Sequence, residues 1–278
     1  MRTVKRGYTD LPNGQAHWRQ VRPPSSPASA GLTTGEKTPV ACLHMMPKSS
    51  RSFQKLLPEL AINRCAIAPD LPGYGASDAL DDTPSVEGYA QWLWSFIDHT
   101  LGDETVVNLL GYHTGSMIAA EAAAQQPMRV ERIVNVSAPV FSDAEARELE
   151  GFFQPIPLDD EGTRFRIMWE RIMKFRGKGM TLEMAAASLS DNLLGGEDYE
   201  DGHRAAFAHS PRYAQLLGEL PHRLLVMNIK DDLYAVTQRC EPLLKNGLLR
   251  EYSDWENGFL ESHPDAVGRE VLSFFDGD

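Results

Sequence analysis

Cysteine is scarce in this chain, and the three present, Cys42, Cys65 and Cys240, are an odd number set among apolar neighbours. No C-x-x-C pair and no Cys/His spacing of a zinc site occurs, which excludes a disulfide framework or a structural metal as the means of holding the fold. Buried thiols in a reducing compartment are the expectation. Long hydrophobic runs are missing too. No stretch approaches the roughly 20 apolar residues needed to span a bilayer, and residues 1–14 contain no apolar segment of signal-peptide length. These absences predict a cytoplasmic protein without a membrane partner. Basic charge is outnumbered, with 27 Lys and Arg against 39 Asp and Glu. The cations form no stripe that could follow a phosphate backbone, so nucleic acid is excluded as a partner. No G-x-G-x-x-G follows a strand, which excludes a nicotinamide or flavin dehydrogenase, and Glu36 breaks the order of a phosphate loop at Gly35-Glu36-Lys37-Thr38. The acidic run from Glu197 to Asp201, with His203 nearby, lacks the pattern of a calcium loop and reads as a solvated connection. Neither a cofactor nor a metal is expected.

What remains is a chain of 278 residues, 42% of them hydrophobic, long enough to bury roughly three-quarters of its unfolded surface. A hairpin signal at Asn13-Gly14 precedes alternating residues from Gln15 to Val21. Residues 22–38 are rich in Pro, Ser, Gly and Thr and too polar to build a core element. From Pro39 onward, continuous apolar runs (PVACLH, CAIAP, TVVNLLG, RIVNVSAP) alternate with amphipathic helical segments, among them Val86 to Leu101 and Ser116 to Gln126. That alternation predicts a mostly parallel, doubly wound sheet with helices on both faces. Residues 141–211 break it with helical segments and no strand. It resumes with RLLVMNI, a helix near Gln238 to Lys245, LLREY and a closing helix from Pro264 to Phe275. The division predicted is a core of residues 1–140 and 212–278 with a helical insertion at 141–211.

In such a sheet, ligands bind beyond the carboxyl ends of the strands. Four places qualify: the residues after the third strand (His44 to Ser50), the fourth (Asp70 to Asp78), the fifth (Gly111-Tyr112-His113-Thr114-Gly115) and the seventh (Lys230-Asp231-Asp232). The pentapeptide is the most informative. A glycine two residues before and two after one polar residue, between a strand and a small-residue helix, is the pattern of a nucleophile elbow. The central residue sits on a strained turn, and the glycines let strand and helix approach.

Three stretches together resemble the α/β-hydrolase superfamily. LHMMPKSSRSFQKLLPELA is similar to its oxyanion segment and following helix, DLPGYGASD to its loop after the fourth strand, and LLGYHTGSMIAAEAA to its elbow and following helix. The resemblance implies an α/β-hydrolase fold, with residues 141–211 as a helical cap over the site. It also implies backbone oxyanion donors at Met46 and Thr114, and an acid at Asp232, or at Asp231 if the register slips by one. Two departures stand out. The elbow carries His113 where the family has Ser, Asp or Cys, and Gly258 stands where the family's general base follows the last strand. His263, five residues on, reads as a helix-entry residue.

A Ser-His-Asp triad is therefore absent from the sequence, and His113 is the candidate that remains. A neutral imidazole is both base and nucleophile near pH 7, and the helix N-terminus beside it should disfavour the charged form. The leading reading is an enzyme acting without cofactor on a small apolar ester, thioester or lactone, with His113 attacking the carbonyl and Asp232 orienting it. In a second reading, His113 is the base of a cofactor-free lyase or dioxygenase. In a third, the site binds a small ligand without catalysis. His44, Met45, Tyr112 and Trp169 are candidate substrate contacts, and Phe165, Met168, Met173 and Phe175 are expected to build the core of the cap, with some of them over the substrate. A small molecule is the expected partner, and a homodimer is compatible with the surface.

Overall fold

A computed structural model of the chain describes residues 3–23 and 35–277. Most of the low-order segment read at 22–38 lies outside the described residues. Eight strands form one sheet: β1 Lys5–Leu11, β2 Gly14–Val21, β3 Val40–Leu43, β4 Ala66–Pro69, β5 Val107–Tyr112, β6 Val130–Val136, β7 Arg223–Ile229 and β8 Gly247–Tyr252. Their spatial order is β1-β2-β4-β3-β5-β6-β7-β8. The first hairpin is antiparallel and β2 lies antiparallel to β4, while every pair from β4 to β8 is parallel. The side chains of β3, β4 and β5 are buried throughout. This explains why they read as unbroken apolar runs: both faces of a parallel sheet are covered, so neither face can be polar.

The described residues form ten α-helices: α1 Leu57–Leu60, α2 Val86–Leu101, α3 Thr114–Gln125, α4 Asp143–Phe152, α5 Thr163–Lys174, α6 Leu182–Leu194, α7 Asp201–Glu219, α8 Tyr234–Thr237, α9 Phe259–Ser262 and α10 Pro264–Asp276. One core joins the sheet to α2, α3 and α7 through residues such as Leu93, Phe96, Met117, Ile118 and Tyr213. The other joins it to α1, α9 and α10 through Phe53, Leu57, Leu60, Val267 and Phe274. The helix expected near Gln238 to Lys245 is a 3-10 segment, Gln238–Leu243, with Pro242 inside it. The missing amide of Pro242 accounts for the failure to form α-helix. Helix α7 runs unbroken through residue 211, and both of its halves contribute to the core beside α2 and α3, Ala205 and Ala206 from the first and Tyr213, Leu216 and Leu217 from the second, so the boundary expected at 211 falls inside one helix. No helix among the described residues is long and apolar enough to cross a membrane.

The order of strands reverses between β3 and β5: the chain moves outward from β3 to β4, then crosses back to β5. A crevice opens at the carboxyl ends of strands flanking such a reversal. Met46 follows β3 and His113 follows β5, one on each side of that crevice.

Candidate active site

His113 occupies the turn between β5 and α3 with φ 50° and ψ −116°. Positive φ is costly for a residue with a Cβ and persists only where its surroundings enforce it. They do so here. The His113 amide donates to Val136 O at 3.0 Å, and its carbonyl accepts from Ser116 N at 2.8 Å. A Cβ on Gly111 would fall 2.3 Å from Gly115 O, and one on Gly115 would fall 2.1 Å from Leu43 O. Both positions therefore require glycine, as the elbow pattern predicted.

From this turn the imidazole reaches the loop after β7. Its Nε2–H donates to Asp231 Oδ2 at 2.9 Å. The Asp231 side chain is fully buried, and its carboxylate accepts two further hydrogen bonds, from Ser137 Oγ at 2.6 Å and from the Leu233 amide at 2.9 Å. Ser137, at the tip of β6, is also held at positive φ, 52°. The tips of three neighbouring strands, β5, β6 and β7, thus supply the imidazole, a hydroxyl and a carboxylate. Nδ1 of His113 has no hydrogen-bond partner among the described residues and is not sealed from solvent.

The acid partner is therefore Asp231, one residue before the expected Asp232. Asp231 N is drawn back to Ile229 O, and the turn that follows directs the Asp231 carboxylate inward and leaves Asp232 exposed. The expected effect of the helix terminus on the imidazole is opposed here by two carboxylates. Burial pulls the His113 pKa down, but the charge and hydrogen bond of Asp231, with Asp232 behind it, raise it above the ordinary histidine value. By donor atoms, His113, Asp231 and Asp232 could hold a metal ion, since all three lie within 4.8 Å of one another. Asp231 Oδ2 already receives the short bonds from Ser137 and His113, and this favours a hydrogen-bonded triad.

Next to the dyad lies a cavity of about 650 Å³, lined on the core side by Met45, Met46, Tyr112 and Thr114 and on the other by residues of α4 to α7. Tyr112 packs edge-on against the His113 ring at 4.5 Å and donates from its hydroxyl to Asn257 Oδ1. Met45 and Tyr112 are thus placed as substrate contacts would be. His44 is not: it is fully buried outside the cavity, with Nδ1–H donating to Met45 O at 2.9 Å and Nε2 accepting from the Leu71 amide at 2.8 Å. Burial pushes its pKa down to about 4, so the ring stays neutral and can accept that bond. Its work is to shape the Met45-Met46 backbone. Trp169 also falls outside the lining, because the α5 residues turned inward are Met168, Arg171, Ile172 and Lys174, with Phe175 just past the helix end. Met173 likewise does not line it, and Phe165 is exposed. At the base position of the resemblance, Gly258 has φ 91°, and Met180 and Met184 approach where a Cβ would stand. His263 lines a separate pocket of about 440 Å³ and bonds Ser262.

Sequence reasoning missed three features. Ser137 directly follows an apolar strand, which was its signal. Lys48, half-buried on the cavity wall, donates from Nζ to Asn192 Oδ1 and to Ser188 Oγ on α6, both at 2.5 Å. Burial pushes its amine down to about 8, against the pull of Asp191. The third is in the acidic run taken as solvated: Tyr199 and Glu200 are both buried, because this segment starts α7 and packs inward.

A family model described as alpha/beta hydrolase fold matches residues 38–210. Among curated proteins, the chain is 32% identical over 97 residues to the magnesium-chelatase 30 kDa subunit of Rhodobacter capsulatus, across 34% of this chain and 33% of that protein. It is 30% identical over 154 residues to a pimeloyl-[acyl-carrier protein] methyl ester esterase of Photobacterium profundum, across 53% of this chain and 56% of that one. Both alignments thus span well under two-thirds of the relatives' lengths. Among solved structures, the enol-lactonase of Burkholderia xenovorans LB400 superposes with a TM-score of 0.72 at 14% identity, covering 97% of this chain and 100% of that one. That likeness is one of fold.

Proposed function

Because the chain belongs to the alpha/beta hydrolase fold family, we propose that it hydrolyses a small, largely apolar ester, thioester or lactone without a cofactor, using His113 and Asp231 in place of a Ser-His-Asp triad. The observation that carries this reading is the 2.9 Å bond from His113 Nε2 to a buried carboxylate, with Nδ1 left free beside an apolar cavity. Asp231 fixes the tautomer with the proton on Nε2, so the Nδ1 lone pair is the one available to a substrate carbonyl. Attack forms a carbon–nitrogen bond and an oxyanion. The imidazolium charge that develops is stabilised by Asp231, as in other nucleophile–base–acid arrays. The amides of Met46 and Thr114 are the proposed oxyanion donors, since they flank the crevice between β3 and β5. Residues 141–211 act as the cap that keeps water from the cavity.

The substrate class follows from the lining. Phe141, Phe152, Phe153, Phe207, Met168 and Ile172 give the cavity an apolar wall, suited to an acyl chain or ring. A relative named as a methyl ester esterase supports ester hydrolysis as the reaction class. A second reading is favoured by the raised pKa of His113: a more basic imidazole suits proton removal from water that attacks the carbonyl directly.

The test compares the parent with His113→Ala on activated aryl esters and thioesters, following turnover and intact mass. The expected result is a loss of about 100-fold or more in the variant, with a transient acyl adduct on the parent. Turnover without an adduct would select the water-activating reading. Equal rates in both proteins would remove the hydrolase reading.

A further inference from the structure

The same cavity carries a second imidazole that the reading above leaves unused. His203 lies in the first turn of α7 and donates from Nδ1 to Glu200 Oε2 at 2.5 Å. Glu200 is 1% exposed, and its other oxygen accepts from Arg171 Nη1 at 3.2 Å. A carboxylate buried in a wall of aromatic side chains costs stability unless it is paired. Here it is paired twice, and one of the two partners is a histidine facing the cavity. Both Glu200 and His203 line the cavity that His113 lines.

The His203 ring has little freedom. Phe153 packs on it with centroids 4.4 Å apart, and Phe207 lies nearly parallel to it at 6.2 Å. Nε2 has no hydrogen-bond partner among the described residues and is not sealed from solvent. The position of the ring relative to the crevice is fixed by its neighbour. Gly202 sits so close to the oxyanion segment that a Cβ there would fall 1.8 Å from Met46 Sδ, and its amide donates to the Tyr74 hydroxyl at 2.8 Å. His203 is thus one residue away from a direct contact with Met46.

We propose that His203 is a second catalytic residue, the acid that protonates the leaving-group oxygen, held in place by Glu200. The assignment rests on the reading of His113 as the group that attacks the carbonyl. When the tetrahedral species collapses, the carbon–oxygen bond breaks, and the departing oxygen takes its electron pair and the proton on Nε2 of protonated His203. Water then adds to the acyl carbon and returns a proton to His203. The bond from carbon to His113 breaks, and acid and alcohol leave with both imidazoles restored. The two histidines divide the work that one histidine does in a triad, where the base that takes the proton later gives it back.

The experiment uses two esters of one acid, a p-nitrophenyl ester and an alkyl ester. A nitrophenolate departs without a proton, whereas an alkoxide needs one. Read in kcat/KM, which covers the steps up to departure of the alcohol and not the hydrolysis of the common acyl group, His203→Gln is expected to lose about 100-fold on the alkyl ester and far less on the aryl ester, with Glu200→Gln giving the same selectivity to a smaller degree. Thermal unfolding of both variants reports whether they fold, and if His203→Gln does not, Glu200→Gln carries the comparison. An equal loss on both esters, or none on either, overturns the assignment while leaving His113 in place. Absence of His113-dependent turnover on both esters overturns the assignment together with the reading beneath it.

Discussion

The imidazole of His113 is long enough to touch Asp231 from the turn after β5, a span that a hydroxyl on the same backbone would not cross. Position 113 can therefore dispense with an intermediary, and the glycine at 258, crowded by Met180 and Met184, leaves no room for one. The roles of the adjacent acids should separate by mutation. Asp231→Asn is expected to lower kcat by about 100-fold or more, as for loss of an orienting carboxylate, while Asp232→Asn should cost far less; steady-state kinetics on an activated ester checks both. Because the carboxylates raise the His113 pKa, a reaction needing the neutral ring should lose rate as pH falls through a value above the ordinary 6.5 or so of histidine. The pH–rate profile of Asp231→Asn should have that limb moved to lower pH. The stability effect has the opposite sense. A raised folded-state pKa contributes stability that is present below about 6.5 and is lost as pH rises through the folded value. The gap in unfolding midpoint between parent and Asp231→Asn should narrow as pH rises from about 6.5 through the raised folded-state value. Here the sequence was half legible: His113 stood out by its flanking glycines, but two adjacent aspartates look alike until the turn after β7 orients them.

Among the elements, the strand–turn–helix unit of β5 and α3 is the most constrained. Gly115→Ala would drive a methyl group into the Leu43 carbonyl, a backbone atom with little freedom to retreat. Overpacking of this sort should cost about 3 kcal/mol and displace His113 from Asp231, which a denaturant titration run beside an activity assay would detect. By contrast, Ser142 closes a capping box with Glu145 at the start of α4, and Glu145 is also gripped by Arg239. Ser142→Ala should cost about 1 kcal/mol, lower the melting temperature by about 2–4 °C and leave the elbow intact. Strands and long helices could be read from apolar runs and 3.6-residue periodicity because burial on two faces, or one, writes itself into composition. The short pieces around Pro242 and before α1 could not, since local packing decides them.

At the scale of the molecule, the helices of residues 141–211 meet the core through several polar ties, among them Arg239 with Glu145, Tyr74 with Gly202, and Lys48. Lys48 links the loop after β3 to Ser188 and Asn192 of α6. Lys48→Met should loosen that contact, so amide exchange is expected to quicken across Leu182–Leu194 and to stay unchanged in β5, β6 and β7. Exchange measured by mass spectrometry would check it, and an equal change in the sheet would point to global destabilisation instead. The wall of the cavity is also a property of the whole. Met168, Arg171, Ile172 and Phe175 reach it, while Trp169, between two of them in sequence, does not.

The sequence by itself determined the parallel sheet, the run of helices between β6 and β7, the glycine-flanked turn and the identity of its central histidine, because each is written in local periodicity or in a short-range steric demand. Only the tertiary structure decided that Asp231 is the partner, that Ser137 supports it, that His44 is structural, and that Glu200 is buried and His203 half-buried beside the cavity. Those facts join residues from separate strand ends and from the insertion, and their distances depend on how the layers pack, which no local pattern encodes.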